Sequence, residues 1–154
     1  MKKDAIIPFL IAAMFVIAMS TILIKNYNGS SPGSESDDTA LEFTTDGVAA
    51  LRQAKEEGKL VMIDFYADWC PPCKQMEREA FEDESVAELL KDVITVRVDV
   101  DNPGSNQKLY ERFGGGSIPL IVFLDSDGDE IGRTVGYGGV SSFKREVSKI
   151  IGKS

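Results

Sequence analysis

The chain has two cysteines, and they stand three positions apart in Cys70-Pro71-Pro72-Cys73. On the first turn of a helix that spacing brings two sulfurs close enough to bond, and a dithiol–disulfide couple is the chemistry such a pair performs. Cys70 is placed where a helix opens, so free amides and the helix dipole favour its thiolate, the species that attacks a disulfide. Cys70 is therefore the expected attacking sulfur. Cys73, one turn in and less exposed, is expected to resolve the mixed disulfide. A purely structural bridge is the weaker reading, because so short a loop removes little entropy from the unfolded chain. A metal site would need ligands from a second chain.

What the chain lacks narrows the field further. Its 154 residues contain no His. That removes Ser-His-Asp and Cys-His catalysis, His-ligated zinc and haem–His ligation, and two Cys cannot build a four-thiolate zinc or iron–sulfur site within one chain. The formal net charge is −8, which argues against a nucleic-acid partner, since phosphate binding needs a basic face. A chain that is 43% hydrophobic and 27% charged fits one globular domain of ordinary size.

The elements that must hold the cysteines can be read along the chain. Asp46 can cap a helix running to Glu57, which Gly58 stops. Lys59 to Ala67 is a nearly continuous apolar run, as in a strand covered on both faces. A helix follows from Cys70, with Met76, Ala80 and Phe81 at helical spacing. Ser85 is a candidate cap for a further short helix. Val93 to Val100 alternates as a strand does, Gln107 to Phe113 reads as a short helix, and Leu120 to Leu124 as a strand. The Asp125 to Gly128 turn returns Glu130 to Val135 as a hairpin partner. Ser141 or Ser142 caps a last helix. The first two strands are joined through a helix, which implies a right-handed parallel crossover. With a terminal hairpin, this predicts an α/β fold with a mixed central sheet flanked by helices.

The first 40 residues are a different material. Ala5 to Ile24 is an uncharged stretch of about 20 residues, long enough as a helix to cross the hydrocarbon core of a bilayer. Lys2 and Lys3 favour a cytoplasmic N-terminus. Residues 1–25 are expected to form a single transmembrane anchor, with the remainder outside the cytoplasm. The alternative is a signal peptide cleaved near Ala18-Met19-Ser20, which leaves a secreted or periplasmic protein and agrees on export. Residues 26–40, rich in Gly, Ser and Asp, read as a flexible tether, and Asn28-Gly29-Ser30 is a weak match to a glycosylation site. Residues 41–154 are the globular domain. With the charged residues of the first 25 positions set aside, 14 basic and 24 acidic residues remain, which reads as a solvated, soluble surface.

The segment Asp64-Phe65-Tyr66-Ala67-Asp68-Trp69-Cys70-Pro71-Pro72-Cys73-Lys74 resembles the active-site segment of the thioredoxin superfamily. The longer run from Glu57 to Leu90 looks most like the thioredoxin-like C-terminal domain of bacterial transmembrane thiol–disulfide reductases. Ser117-Ile118-Pro119 matches the family's loop carrying a cis-proline beside the dithiol. The resemblance covers about Leu41 to Ile151 and implies a thioredoxin fold. It further implies that Asp64 is a buried acid, and burial would raise its pKa enough to take a proton from Cys73 through water. Trp69 would cover the thiol pair, and Ile118 and Pro119 would present backbone to an extended substrate. Alternatively, Asp64 faces solvent at a strand edge and Trp69 is ordinary core. Arg97 falls loosely where the family has a basic neighbour of the buried acid, but a plain surface Arg is the preferred reading. Two departures stand at the substrate groove: Leu120 follows the proline in place of the usual Thr, and Gly114-Gly115-Gly116 precedes it, either to admit a partner backbone or as a loose loop.

Pro71 and Pro72 carry no N–H, so of the amides just after Cys70 only that of Cys73 remains to donate to its thiolate. Asp68 adds negative charge, which Lys74 opposes weakly. Oxidising members of the superfamily owe their potential to a stabilised reduced thiolate, and this site lacks the stabilisers, so a reductant is expected. The implied function is a membrane-anchored extracytoplasmic protein-disulfide reductase that needs no bound cofactor and no metal. Its expected partners are exported proteins with Cys pairs, including apocytochromes awaiting haem, and a transmembrane electron donor. A disulfide oxidase or isomerase on the same scaffold is the alternative enzyme. A client- or Cu(I)-binding thioredoxin-like module is the alternative of another class.

Overall fold

The computed structural model describes residues 41–152. The apolar run Ala5–Ile24, the tether 26–40 and Asn28 lie outside the described residues. Among the described residues no helix is long and apolar enough to cross a membrane.

The elements follow in the order α1 (Gly47–Glu57), β1 (Leu60–Tyr66), α2 (Pro71–Met76) with a π-helical continuation (Glu77–Phe81), α3 (Glu84–Leu90), β2 (Val93–Asp99), a 3-10 turn (Gly104–Asn106), α4 (Gln107–Phe113), β3 (Leu120–Leu124), β4 (Glu130–Val135) and α5 (Val140–Ile151). The strands form one sheet in the order β2-β1-β3-β4. β1 and β2 pair in parallel across the helical crossover. β3 is antiparallel to both β1 and β4. The mixed sheet expected from the terminal hairpin is therefore present. Thr44 closes the outer edge of β2: its N–H donates to the Thr95 carbonyl and its carbonyl accepts from the Arg97 N–H, each at 2.9 Å.

β1 and β3 are buried on both faces, which is why they read as continuous apolar runs, broken in β1 only by Asp64. Successive residues split between two cores. Val61, Ile63 and Phe65 join Val122, Leu124, Ala50, Ala54, Leu109 and Phe113 under α1 and α4. Met62, Ile121 and Phe123 meet Met76, Phe81, Leu90, Phe143 and Val147 under α2, α3 and α5. Fully burying side chains of this size stabilises by about 1.5–3 kcal/mol each before entropy is counted, so the sheet is the fixed platform from which the site is built.

The caps show where local signals held and where they did not. Asp46 accepts from the Ala49 N–H at 2.9 Å, and Gly58 ends α1 in the left-handed conformation, as expected. α3 differs. Its cap is Asp83, whose carboxylate accepts from the Ser85 and Val86 amides, while Ser85 lies within the helix and donates its hydroxyl to the same carboxylate. α5 starts at Val140 behind Gly139, which supplies no side-chain cap, so neither Ser141 nor Ser142 opens it. Phe143 belongs to the core, and its amide bonds the Gly139 carbonyl; burial sets this start. Replacing Asp83 by Ala is expected to lower unfolding stability by about 1 kcal/mol. Ser85→Ala should cost less, and urea denaturation of the two variants checks the assignment.

Candidate active site

β1 ends at Tyr66, and the chain turns through Asp68 and Trp69 into α2. Cys70 is the N-cap of α2 in extended conformation, followed by the two prolines in the first turn, where their missing donors break no helical bond. Cys70 and Cys73 are joined in a disulfide with their Cα atoms 5.3 Å apart. The Cys73 N–H donates to Cys70 Sγ at 3.3 Å, the one amide the proline pair leaves for that purpose. Both cysteines are 2% exposed, so in this disulfide form Cys73 is not the less accessible of the two. Ala67 completes their cluster, with Tyr66, Val100 and Ile118 packed against it. The Ile118-Pro119 peptide bond is cis, and Pro119 is buried while Ser117 stands exposed beside it.

Trp69 is 65% exposed, which excludes the ordinary-core alternative. Its indole N–H donates to Asp101 Oδ2 at 2.6 Å, so an aromatic face is held out at the dithiol end of the sheet. Val135, 58% exposed, is a residue the sequence reading missed. It lies opposite Leu120 in the β3–β4 ladder, and the next residue, Gly136, donates its N–H to the Pro119 carbonyl at 2.8 Å. Only the sheet register could have revealed it. The glycine run before the proline is enclosed at one of its three positions and has a positive φ at another. A Cβ on Gly114 would sit 2.4 Å from Tyr110 Cδ2, while Gly115 and Gly116 both face open space and Gly116 has φ +117°. Gly114 is thus packed against its neighbours, and Gly116 holds a backbone conformation that glycine allows.

Asp64 is 1% exposed, in mid-strand, between Arg97 on β2 and Ile121 on β3. The solvent-facing alternative is excluded. Burial drives its carboxyl up to about 7, against the pull of Arg97. Arg97 is not a plain surface residue, which corrects the preferred sequence reading. Equal offsets along two parallel strands put it on the same face as Asp64, and its Nε lies 3.2 Å from Asp64 Oδ2. Neither carboxylate oxygen of Asp64 has an aligned hydrogen bond. The same guanidinium bonds Glu77 Oε1 through Nη1 at 2.6 Å and stacks on Tyr66 at 4.1 Å from the ring centre, with Phe43 at 5.7 Å. Bonding to Arg97 holds the Glu77 carboxyl below the usual range. One cation thus serves two acids whose surroundings push their proton affinities apart. Glu77 was not anticipated; it is the first residue of the π-helical continuation of α2. Among the described residues no cluster of His, Cys, Asp or Glu could hold a metal ion.

Residues 42–126 match the model of a thioredoxin-like family. The chain belongs to the thioredoxin-like family. It is 37% identical over 105 residues to the thiol:disulfide interchange protein DsbD of Ralstonia nicotianae, covering 67% of this chain and 17% of that protein. It is 33% identical over 149 residues to DsbD of Yersinia enterocolitica, covering 92% of this chain and 25% of that protein. The chain thus spans a quarter or less of the length of these relatives. A solved thioredoxin from Thermus thermophilus superposes with a TM-score of 0.60 at 31% identity, over 69% of this chain and 84% of that one. The fold is the α/β thioredoxin fold, with a mixed four-stranded sheet and flanking helices. The domain is homologous to thiol:disulfide interchange proteins and carries the Cys70–Cys73 pair, the arrangement of a thiol–disulfide oxidoreductase.

The raised proton affinity of Asp64 has a consequence for stability. Between about pH 4, where an unfolded Asp titrates, and about 7, the folded chain holds a proton that the unfolded chain releases. Stability from this group is full at the acid end and falls as pH rises through 7. Asp64→Asn is expected to flatten that fall, so it stabilises more at pH 8 than at pH 4. Thermal unfolding of both proteins across that range is the measurement.

Proposed function

We propose that this chain is a membrane-anchored, extracytoplasmic thiol–disulfide oxidoreductase that reduces disulfides of exported proteins. The observation that carries the reading is Cys70 at the mouth of α2, bonded to Cys73, with the buried Asp64 on the strand that leads into them. In the reduced form the Cys70 thiolate attacks one sulfur of a substrate disulfide. A new S–S bond forms, the substrate's S–S bond breaks, and the leaving sulfur departs as a thiolate that takes a proton from water. Cys73 then loses its proton to Asp64, through water, and its thiolate attacks Cys70 Sγ. The mixed disulfide breaks, the second substrate thiol is released, and two electrons have passed to the substrate while Cys70–Cys73 is oxidised.

Asp64 suits the proton step because its affinity sits near neutrality. Arg97 positions it and keeps its pKa from rising further. Trp69 covers the thiol pair from its exposed position, while Ile118 and Pro119 offer backbone to an extended substrate strand. No bound cofactor is required, because electrons pass from sulfur to sulfur.

Residues 1–25 are the anchor in this reading, residues 26–40 the tether and residues 41–154 the catalytic domain. The charge-free length of Ala5–Ile24 supports the span, and Lys2 and Lys3 support a cytoplasmic N-terminus. Outside the cytoplasm no reducing thiol pool exists, so a transmembrane dithiol carrier is the implied donor. Exported proteins with Cys pairs, apocytochromes among them, are the implied acceptors.

Cys73→Ser is expected to accumulate mixed disulfides through Cys70 in membranes, identifiable by mass, while Cys70→Ser should trap none. An absence of adducts with the first variant would overturn the reading. In single-turnover assays the resolution rate should rise with pH through about 7. Asp64→Asn should lower it by about 10²-fold or more, and Arg97→Gln should move the profile to higher pH. Equilibration with glutathione should give a potential well below the roughly −120 mV of a strong oxidant; a value at that level reverses the direction of electron flow.

A further inference from the structure

The face beside the cis-proline carries a second feature. Between the 135–138 loop and α5 lies a cavity of about 310 Å³ that the loop shares with Ser142, Phe143 and Glu146. Its position relative to the dithiol follows from contacts already described. Ile118 packs against Cys70 and Cys73. Pro119 comes next, and its carbonyl is bonded to the Gly136 N–H at 2.8 Å, on the cavity wall. Neighbouring strands are about 4.8 Å apart, and an extended chain advances about 3.3 Å per residue. A substrate segment lying along Pro119 therefore has Gly136, on the cavity wall, about one strand spacing away.

The lining carries one carboxylate, that of Glu146. Among the described residues Glu146 forms no ion pair with Lys or Arg. Its Oε1 accepts from Ser142 Oγ at 3.1 Å, and Arg145 reaches it only through that hydroxyl. Tyr137, on the loop side, has its hydroxyl shut off from solvent without a well-aligned hydrogen bond. Burial above all, then its hydrogen-bonding contact with the Glu79 carboxylate and the charges of Glu79 and Asp83, push its phenol up to about 12. Lys144, the next cation along α5, is bonded to Ser85 at 2.6 Å.

Resting on the oxidoreductase reading above, we propose that this cavity is a specificity subsite that takes a lysine or arginine side chain of the protein substrate, with Glu146 as its counter-ion. A long basic side chain fits on both counts: its methylene stem lies along Phe143 and Tyr137, and its charged end reaches Glu146 and Ser142. The chain then selects disulfides by what flanks them. Binding within the same extended segment as the reacting sulfur lowers the barrier to attack by positioning it. The excess of acidic over basic residues in the chain adds long-range attraction for the same clients.

The test uses the full-length chain in detergent, reduced with a small dithiol that is then removed. Two synthetic peptides with an internal disulfide, identical except for Lys or Gln two residues from a cysteine, are mixed with it. Reduced peptide is counted in quenched samples. The Lys peptide should react about fivefold faster at low ionic strength, and the advantage should shrink as salt is added. Glu146 is exposed, so changing it leaves the core untouched. Glu146→Gln should bring the ratio of the two rates close to one, and Glu146→Lys should invert it. Equal rates with the unsubstituted chain, or a Lys preference that survives Glu146→Lys, overturns the subsite. Hydroxyethyl disulfide, too small to span dithiol and cavity, separates the two claims. If it is reduced and the peptides are not distinguished, the subsite alone is lost. If neither it nor the peptides are reduced, the oxidoreductase reading is lost as well.

Discussion

A carboxyl group sealed inside a sheet is costly unless something offsets its desolvation, and the arrangement around Asp64 follows from that constraint. The parallel pairing of β1 with β2 sets Arg97 across from it. Arg97 is in turn held by Glu77 and by the faces of Tyr66 and Phe43. The attraction is not enough to keep the acid ionised at all pH, so Asp64 titrates near neutrality. A carboxyl that titrates in that range can take up or release a proton near neutral pH.

The two ends of α2 do different work from one helix. Its first turn carries the cysteines, with two prolines removing the amides that would otherwise crowd around Cys70. Its π-helical end turns Glu77 toward Arg97 and brings Ala80 and Phe81 into the core. The dithiol and the cation serving the buried acid are thus tied to one rigid element.

Much of this is legible in the amino-acid sequence. The strands Leu120–Leu124 and Glu130–Val135 and the helix Gln107–Phe113 fall where periodicity and turn residues put them, because burial on both faces leaves an apolar run and Asp-rich turns break it. Where two capping signals competed, local reading failed. Asp83 and Ser85 are both good caps, and Asp83 takes the role because its carboxylate reaches two amides. At α5 the start is set by seating Phe143 and Val147 in the core, which no nearby serine announces.

The spacing of the cysteines, the missing histidines and the prolines between the thiols are properties of the chain itself, and they are sufficient for dithiol chemistry at a helix entrance. Burial of Asp64 was also foreseeable from its apolar neighbours Ile63 and Phe65. The partnership with Arg97 was not. Residues far apart in the chain become neighbours only when two strands adopt one register, and a one-residue slip would turn Arg97 to the other face. The exposure of Trp69, the approach of Val135 and Gly136 to Pro119, and the cavity against α5 have the same origin. Each depends on which strands are adjacent, and long-range packing of the sheet against its helices, rather than any local preference, settles that.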